Sequence, residues 1–193
     1  MTLKISFRCL TLCAVQAMLE CMTRARLENA QQDPQFARLF RGRPRRYRLP
    51  LAGGTVKVQQ LAQLGCETPT INYAKHNGRP YRFFYAICSD VDSESPGQLV
   101  KVDTEQGVVA AWREEGVYCS EPMFVARPGG RAEDDGLILS SILWAAPHIN
   151  SVGLIILAAT NLSLIARVHF SLSGPVPKPL HGCFSSDWDF EYD

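Results

Sequence analysis

The amino-acid sequence predicts a mainly β fold preceded by a short helical segment. Three observations carry this. Turn residues recur at short intervals after Pro44, and the runs between them favour β-branched and aromatic residues, whereas residues 14–40 collect Ala, Leu, Met, Glu, Gln and Arg, which are helix formers. Many short strands joined by hairpin-type turns suit a sandwich, a barrel or a propeller, and periodicity alone does not choose among them.

Residues 46–51 alternate polar and apolar before Gly53-Gly54. Ile71-Asn72-Tyr73 reads as extended chain leading to the turn His76-Asn77-Gly78. Residues 81–88 are aromatic and β-branched, as a half-buried or buried strand should be. Further strands are expected over 98–102, 108–112, 123–126, 137–145, 153–157 and 165–172, separated by Pro96-Gly97, Gln106-Gly107, Pro128-Gly129-Gly130 and Asp134-Asp135-Gly136. The last of these is a hairpin turn by its Asp-Gly pair.

At 193 residues, 46% hydrophobic and 20% charged, the chain can bury a sizeable core, which excludes global disorder. A formal charge of +1 creates no field for nucleic acid or an acidic membrane surface. The run Arg41, Arg43, Arg45, Arg46 and Arg48 lacks interleaved aromatics beyond Tyr47 and reads as a solvated loop. Seven cysteines (Cys9, Cys13, Cys21, Cys66, Cys88, Cys119 and Cys183) include no Cys-x-x-Cys pair, which excludes a zinc ribbon and suits a reducing compartment. The cytoplasm is the expected location, with mitochondria the alternative. The apolar run 152–159 is too short to span a bilayer, and residues 1–22 read as an amphipathic or irregular start.

Four histidines are available for chemistry. His76 sits in a polar turn, His148 in a loop, and His169 on the polar side of an alternating strand. His181 differs, because Pro177 and Pro179 set the approach of the backbone and Gly182 permits close passage. A ligand on the inner end of a strand needs that setting, although a metal also needs several ligands. Glu67 and Glu121 stand before Thr68-Pro69 and Pro122, so both occupy extended backbone. Each is either a surface residue opening a strand or an acceptor that holds an imidazole N–H. Glu133-Asp134-Asp135-Gly136 lacks the alternating oxygens of a calcium loop, and neither a Gly-x-Ser-x-Gly elbow nor a phosphate loop occurs.

Several strings carry a family likeness: Arg45-Arg46-Tyr47-Arg48-Leu49-Pro50-Leu51, Glu67-Thr68-Pro69-Thr70-Ile71-Asn72-Tyr73, Gly78-Arg79-Pro80-Tyr81-Arg82-Phe83-Phe84-Tyr85, Ser120-Glu121-Pro122-Met123-Phe124-Val125, Glu133-Asp134-Asp135-Gly136-Leu137-Ile138-Leu139-Ser140 and Leu180-His181-Gly182-Cys183-Phe184. In this order, across residues 27–184, they resemble the closing part of the carotenoid cleavage oxygenase family, in its β-carotene oxygenase and retinal pigment epithelium retinoid isomerase branch.

The resemblance implies roughly two to three blades of a seven-bladed β-propeller, with axial Fe(2+) held by four histidines, three of them oriented by glutamates. By position His181 matches the last iron ligand, and Glu67 and Glu121 match two of the orienting carboxylates. Neutral imidazoles leave ferrous iron open positions for dioxygen. The implied reaction splits a conjugated double bond of an apolar polyene, a carotenoid or retinoid, into two carbonyl products.

The remaining iron-ligand histidines have no counterpart, because His76, His148 and His169 do not fall at matching positions. Ala158 and Leu164 also replace a usual Asp and Glu. Residues 1–26 are then an atypical start, 27–184 the propeller part, and 185–193 an acidic tail. A fragment with one iron ligand and open strand edges should be inactive alone and marginally stable. Its rivals are a non-catalytic β-domain that binds a lipid or protein partner, and retinoid isomerohydrolase chemistry on the same scaffold. Expected partners are the polyene and dioxygen, with no nucleic acid and no transmembrane segment; peripheral membrane contact belongs to the full-length family.

Overall fold

Eleven strands and one single-turn helix make up the regular structure of the computed structural model, which describes residues 42–185 apart from 51, 89, 91–96, 178 and 180. The expected helical segment, the atypical start and all but the first residue of the acidic tail lie outside the described residues. β1 (Arg45–Arg48) and β2 (Lys57–Gln60) form an antiparallel ribbon. β3 (Glu67–Thr70), β4 (Phe83–Ile87), β5 (Leu99–Asp103) and β6 (Gly107–Trp112) form a four-stranded meander in chain order, with α1 (Tyr73–His76) between its first two strands.

The second sheet contains β7 (Val117–Cys119), β8 (Met123–Ala126), β9 (Gly136–Trp144), β10 (Ser151–Ala158) and β11 (Leu164–Ser171). β7 pairs with residues 142–144 of β9 and β8 with residues 136–139. The two are therefore halves of one interrupted strand, and this sheet too is a four-layer meander. Two consecutive meanders and a ribbon are the expected partial propeller.

Alternation on the strands builds the core. Tyr85, Ile87 and Leu99 on one face of the first sheet meet Ile138, Ile142, Ile155 and Leu157 of the second, each at most 6% exposed. Each such apolar side chain contributes about 1.5–3 kcal/mol by leaving water. The opposite face of β4 and β5 presents Phe84, Ala86, Val100 and Val102 to Leu61, Ala62, Cys66 and Ile71. Tyr85 donates its hydroxyl to Ala159 O at 2.7 Å, and burial pushes its phenol above the ordinary range.

Charge crosses the same layer. The Lys101 ammonium, 3% exposed, reaches Asp134 Oδ2 at 2.6 Å and Thr160 O at 2.7 Å, and lies 4.2 Å from the centre of the Phe83 ring. Glu133 Oε1 accepts from the backbone N–H groups of Arg82 at 2.8 Å and Phe83 at 2.6 Å, and its carbonyl accepts from Asn72 Nδ2. The acidic loop, part of the connection between β8 and β9, is therefore also a clamp between sheets. Gly136 is the first residue of β9, where a Cβ would meet the Phe124 ring at 2.7 Å and collide with Val125 O. The expected hairpin is present, since residues 127–135 join the antiparallel β8 and β9, and steric crowding rather than a left-handed conformation requires glycine at 136.

Strands over 81–88, 98–102, 108–112, 123–126, 137–145, 153–157 and 165–172 all appear with small shifts of their ends. Residues 73–76 close a single helical turn, His76 N donating to Asn72 O at 2.9 Å, and lead into the expected turn at 76–78.

The clamp makes two predictions. Asp134→Ala strands the buried Lys101 ammonium and should cost about 3–5 kcal/mol in chemical denaturation, while Lys101→Met, which removes the buried charge, should cost less. A loss under about 1 kcal/mol for Asp134→Ala would contradict the clamp. Asp103 governs the acid limit. Burial alone would raise its carboxyl, but Arg82 and the backbone N–H groups of Glu105 and Gln106 hold it below the ordinary value. The stability this adds is full above the unfolded value of about 3.9 and falls as pH drops through the lower folded value. Denaturation from pH 5 to pH 2 should steepen below about pH 4 in the native chain and less in Asp103→Asn.

Candidate metal centre

The interruption between β7 and β8 creates the site. Pro122 has no N–H to give the ladder, so the strand breaks at Ser120-Glu121-Pro122. Ser120 N still donates to Ser141 O at 2.8 Å, and the fully buried Ser140 hydroxyl donates to Ser120 O at 2.9 Å. The break is thereby anchored to β9, and the Glu121 side chain leaves the sheet with 25% exposure.

After β11 the described residues up to 185 form no helix or strand. Leu172 N donates to Asn150 O at 2.9 Å and Val176 N to Ile149 O at 3.2 Å, which ties the start of the segment to the loop between β9 and β10. The segment reaches Glu121, whose Oε2 accepts from His181 Nδ1 at 3.1 Å and from Gly182 N at 3.3 Å. One carboxylate oxygen thus holds both the ring and the backbone beside it. A Cβ on Gly182 would lie 3.1 Å from Met123 Sδ, so the glycine permits the close pass. An imidazole that donates through Nδ1 keeps its lone pair on Nε2, the form that binds a metal. The His181 side chain is 79% exposed, so that nitrogen is accessible.

His181 stands outside any strand, contrary to the expected strand end, because Pro175, Pro177 and Pro179 deny the segment ladder donors. Glu67 opens β3 opposite Ile87 and is exposed, and its side chain makes no hydrogen bond or ion pair among the described residues. Thr68, at φ 45°, and Pro69 shift the register between Glu67 and Thr70. Glu67 and Glu121 therefore occupy equivalent places, each at a proline-made irregularity in the first strand of its sheet.

The other imidazoles are elsewhere. His76 Nδ1 lies 2.8 Å from Pro80 O, His148 is exposed between β9 and β10, and His169 packs on Trp144 with ring centres 4.8 Å apart. Among the described residues no group of three or more His, Cys, Asp or Glu could hold a metal ion. Among the described residues the donor set would supply one imidazole to such a site. The anchor from Ser140 to Ser120 escaped sequence reasoning, since a lone Ser on an apolar strand gives no sign of its partner.

Comparison with known proteins identifies the family. The family model described as retinal pigment epithelial membrane protein matches residues 6–186. The chain is 48% identical over 163 residues to the carotenoid isomerooxygenase of Galleria mellonella, covering 82% of this chain and 32% of that protein. It is 37% identical over 127 residues to the human β,β-carotene 15,15'-dioxygenase, covering 66% of this chain and 22% of that enzyme. The chain thus spans between a fifth and a third of the length of these relatives. The cobalt-substituted Synechocystis apocarotenoid oxygenase superposes with a TM-score of 0.64 at 32% identity, covering 75% of this chain and 30% of that one. Among the described residues no helix is long and apolar enough to cross a membrane. The chain belongs to the retinal pigment epithelial membrane protein family, that of the carotenoid oxygenases.

Proposed function

We propose that residues 27–184 are the closing part of an iron(II)-dependent carotenoid oxygenase, with His181 as one iron ligand and Glu121 as the carboxylate that aims it. The observation that carries this is the hydrogen bond from His181 Nδ1 to Glu121 Oε2 at 3.1 Å, which leaves Nε2 to the metal. Glu67, at the equivalent break in the preceding sheet, is suited to the same service for a histidine outside the described residues. Iron held there would supply dioxygen activation for cutting a conjugated double bond of a carotenoid or apocarotenoid. Glu121 would fix the ring, raise its basicity and keep its own charge off the metal. Isomerisation is a second reading, favoured by the likeness to an isomerooxygenase.

With one imidazole and no three-residue donor group, the described residues would hold no iron by themselves. In isolation the chain would then act as a β-domain that docks on the polypeptide or partner supplying the missing ligands. A cytoplasmic location suits its cysteine content.

Grafting residues 27–184 into the Galleria mellonella isomerooxygenase in place of the matching segment tests this. The graft should carry stoichiometric iron and turn over a carotenoid, and His181→Ala within it should bind iron more weakly and lose turnover. Retained iron and turnover in that variant would sink the ligand assignment. In the isolated chain, Glu121→Ala should speed hydrogen exchange at the Gly182 amide and leave the Ile142 amide unchanged; in the graft it should weaken iron about 10–100-fold.

A further inference from the structure

Cys66 and Cys88 meet where the first meander begins. Glu67 pairs with Ile87, and antiparallel pairing steps back on one strand for each step forward on the other, so Cys66 lies opposite Cys88. Cys88 spends its backbone on the other side: its N–H donates to Gln98 O at 2.8 Å, and its carbonyl accepts from Gly97 N at 3.1 Å. Towards β3 it is thus a non-hydrogen-bonded position, where facing Cα atoms stand about 4.5 Å apart. A disulfide tolerates about 4.4–6.8 Å.

The thiols also share a face. Cys66 packs in the cluster of Phe84 and Ala86, and Cys88 follows Ala86 by two residues. Asp90, two residues after Cys88, accepts from Gly65 N, beside Cys66, at 3.0 Å and from the Arg43 side chain at 2.8 Å, which ties the two segments together. The two cysteines are 5% and 2% exposed. Burial, with Cys88 and Asp90 beside it, pushes the Cys66 thiol up to about 12.

We propose that Cys66 and Cys88 are a redox-responsive pair that closes to a cross-strand disulfide, stapling the Glu67 end of β3 to β4. The oxidant is a low-molecular-weight disulfide. One cysteine thiolate attacks it, forms a mixed disulfide and releases one small thiol. The second cysteine thiolate then attacks the protein sulfur of that bond and releases the other. The protein loses two thiol hydrogens as the small disulfide is reduced to two thiols. Both thiols are buried and must be exposed as thiolates, so closure is slow and follows local opening of the strand end. The staple closes the loop that contains α1, which disfavours the unfolded chain.

Purified full chain, equilibrated in glutathione buffers from reducing to oxidising and alkylated in denaturant, gives the test by peptide mapping. A peptide pair joined through Cys66 and Cys88 should accumulate under oxidising conditions, more slowly than glutathione adds to the exposed Cys183. Oxidation should raise the thermal midpoint of the native chain but not of Cys66→Ala or Cys88→Ala. Full alkylation of Cys66 and Cys88 while Cys183 carries glutathione would overturn the proposal, as would their linkage to any other cysteine. Mapping of the native chain decides the matter even if the alanine variants fold poorly.

Discussion

An ammonium group cannot rest between two apolar sheets without partners, and Lys101 imposes that condition on the whole arrangement. Its place on β5 faces Tyr85 on β4, so its head group must be met from the second sheet. Asp134 and Thr160 O supply the charge and the carbonyl, one on each flank of the β9–β10 pair. Asp134 can reach only if the acidic loop lies on the start of β4, where Glu133 takes two further backbone donors. The layer of isoleucines below supplies the area, but apolar contact is not directional. The buried charge sets the register in which one meander faces the next.

That register has a consequence for the site. β9 is the strand to which β7, β8 and the Ser120 anchor are all tied. Fixing β9 therefore fixes where Glu121 leaves the sheet and where the returning segment must place His181. Proline is the recurrent device, because it interrupts a strand without loosening it when neighbouring hydrogen bonds persist. Pro122 frees Glu121 from the ladder, Pro69 accompanies a register shift just after Glu67, and Pro175, Pro177 and Pro179 withhold ladder donors from the histidine segment.

Much of this is legible in the amino-acid sequence, and the exceptions have physical reasons. Residues 123–126 and 137–145 carry strong apolar or β-branched runs, and both appear as strands. β2 is exposed at all four residues, so no core-facing alternation marks it. β7 has three residues, too few to show a period. Glu121 and His181 are marked by their prolines, yet their pairing spans sixty positions and needs tertiary structure to appear. The Asp-Gly hairpin is legible, but the work of its carboxylates is tertiary, since Asp134 answers to Lys101 and Glu133 to the backbone N–H groups of Arg82 and Phe83. Cysteine count and spacing suggest inert thiols, and only the strand register brings Cys66 and Cys88 together.

The central claim is that Glu121 presents His181 to a metal through Nε2. X-ray absorption of the iron-loaded graft tests it most directly, since scattering from the rings counts imidazole ligands. The account predicts that His181→Ala removes one imidazole from the iron shell and that Glu121→Ala disorders that same ring while leaving the others unchanged. An iron shell identical in the native graft and in His181→Ala would contradict it.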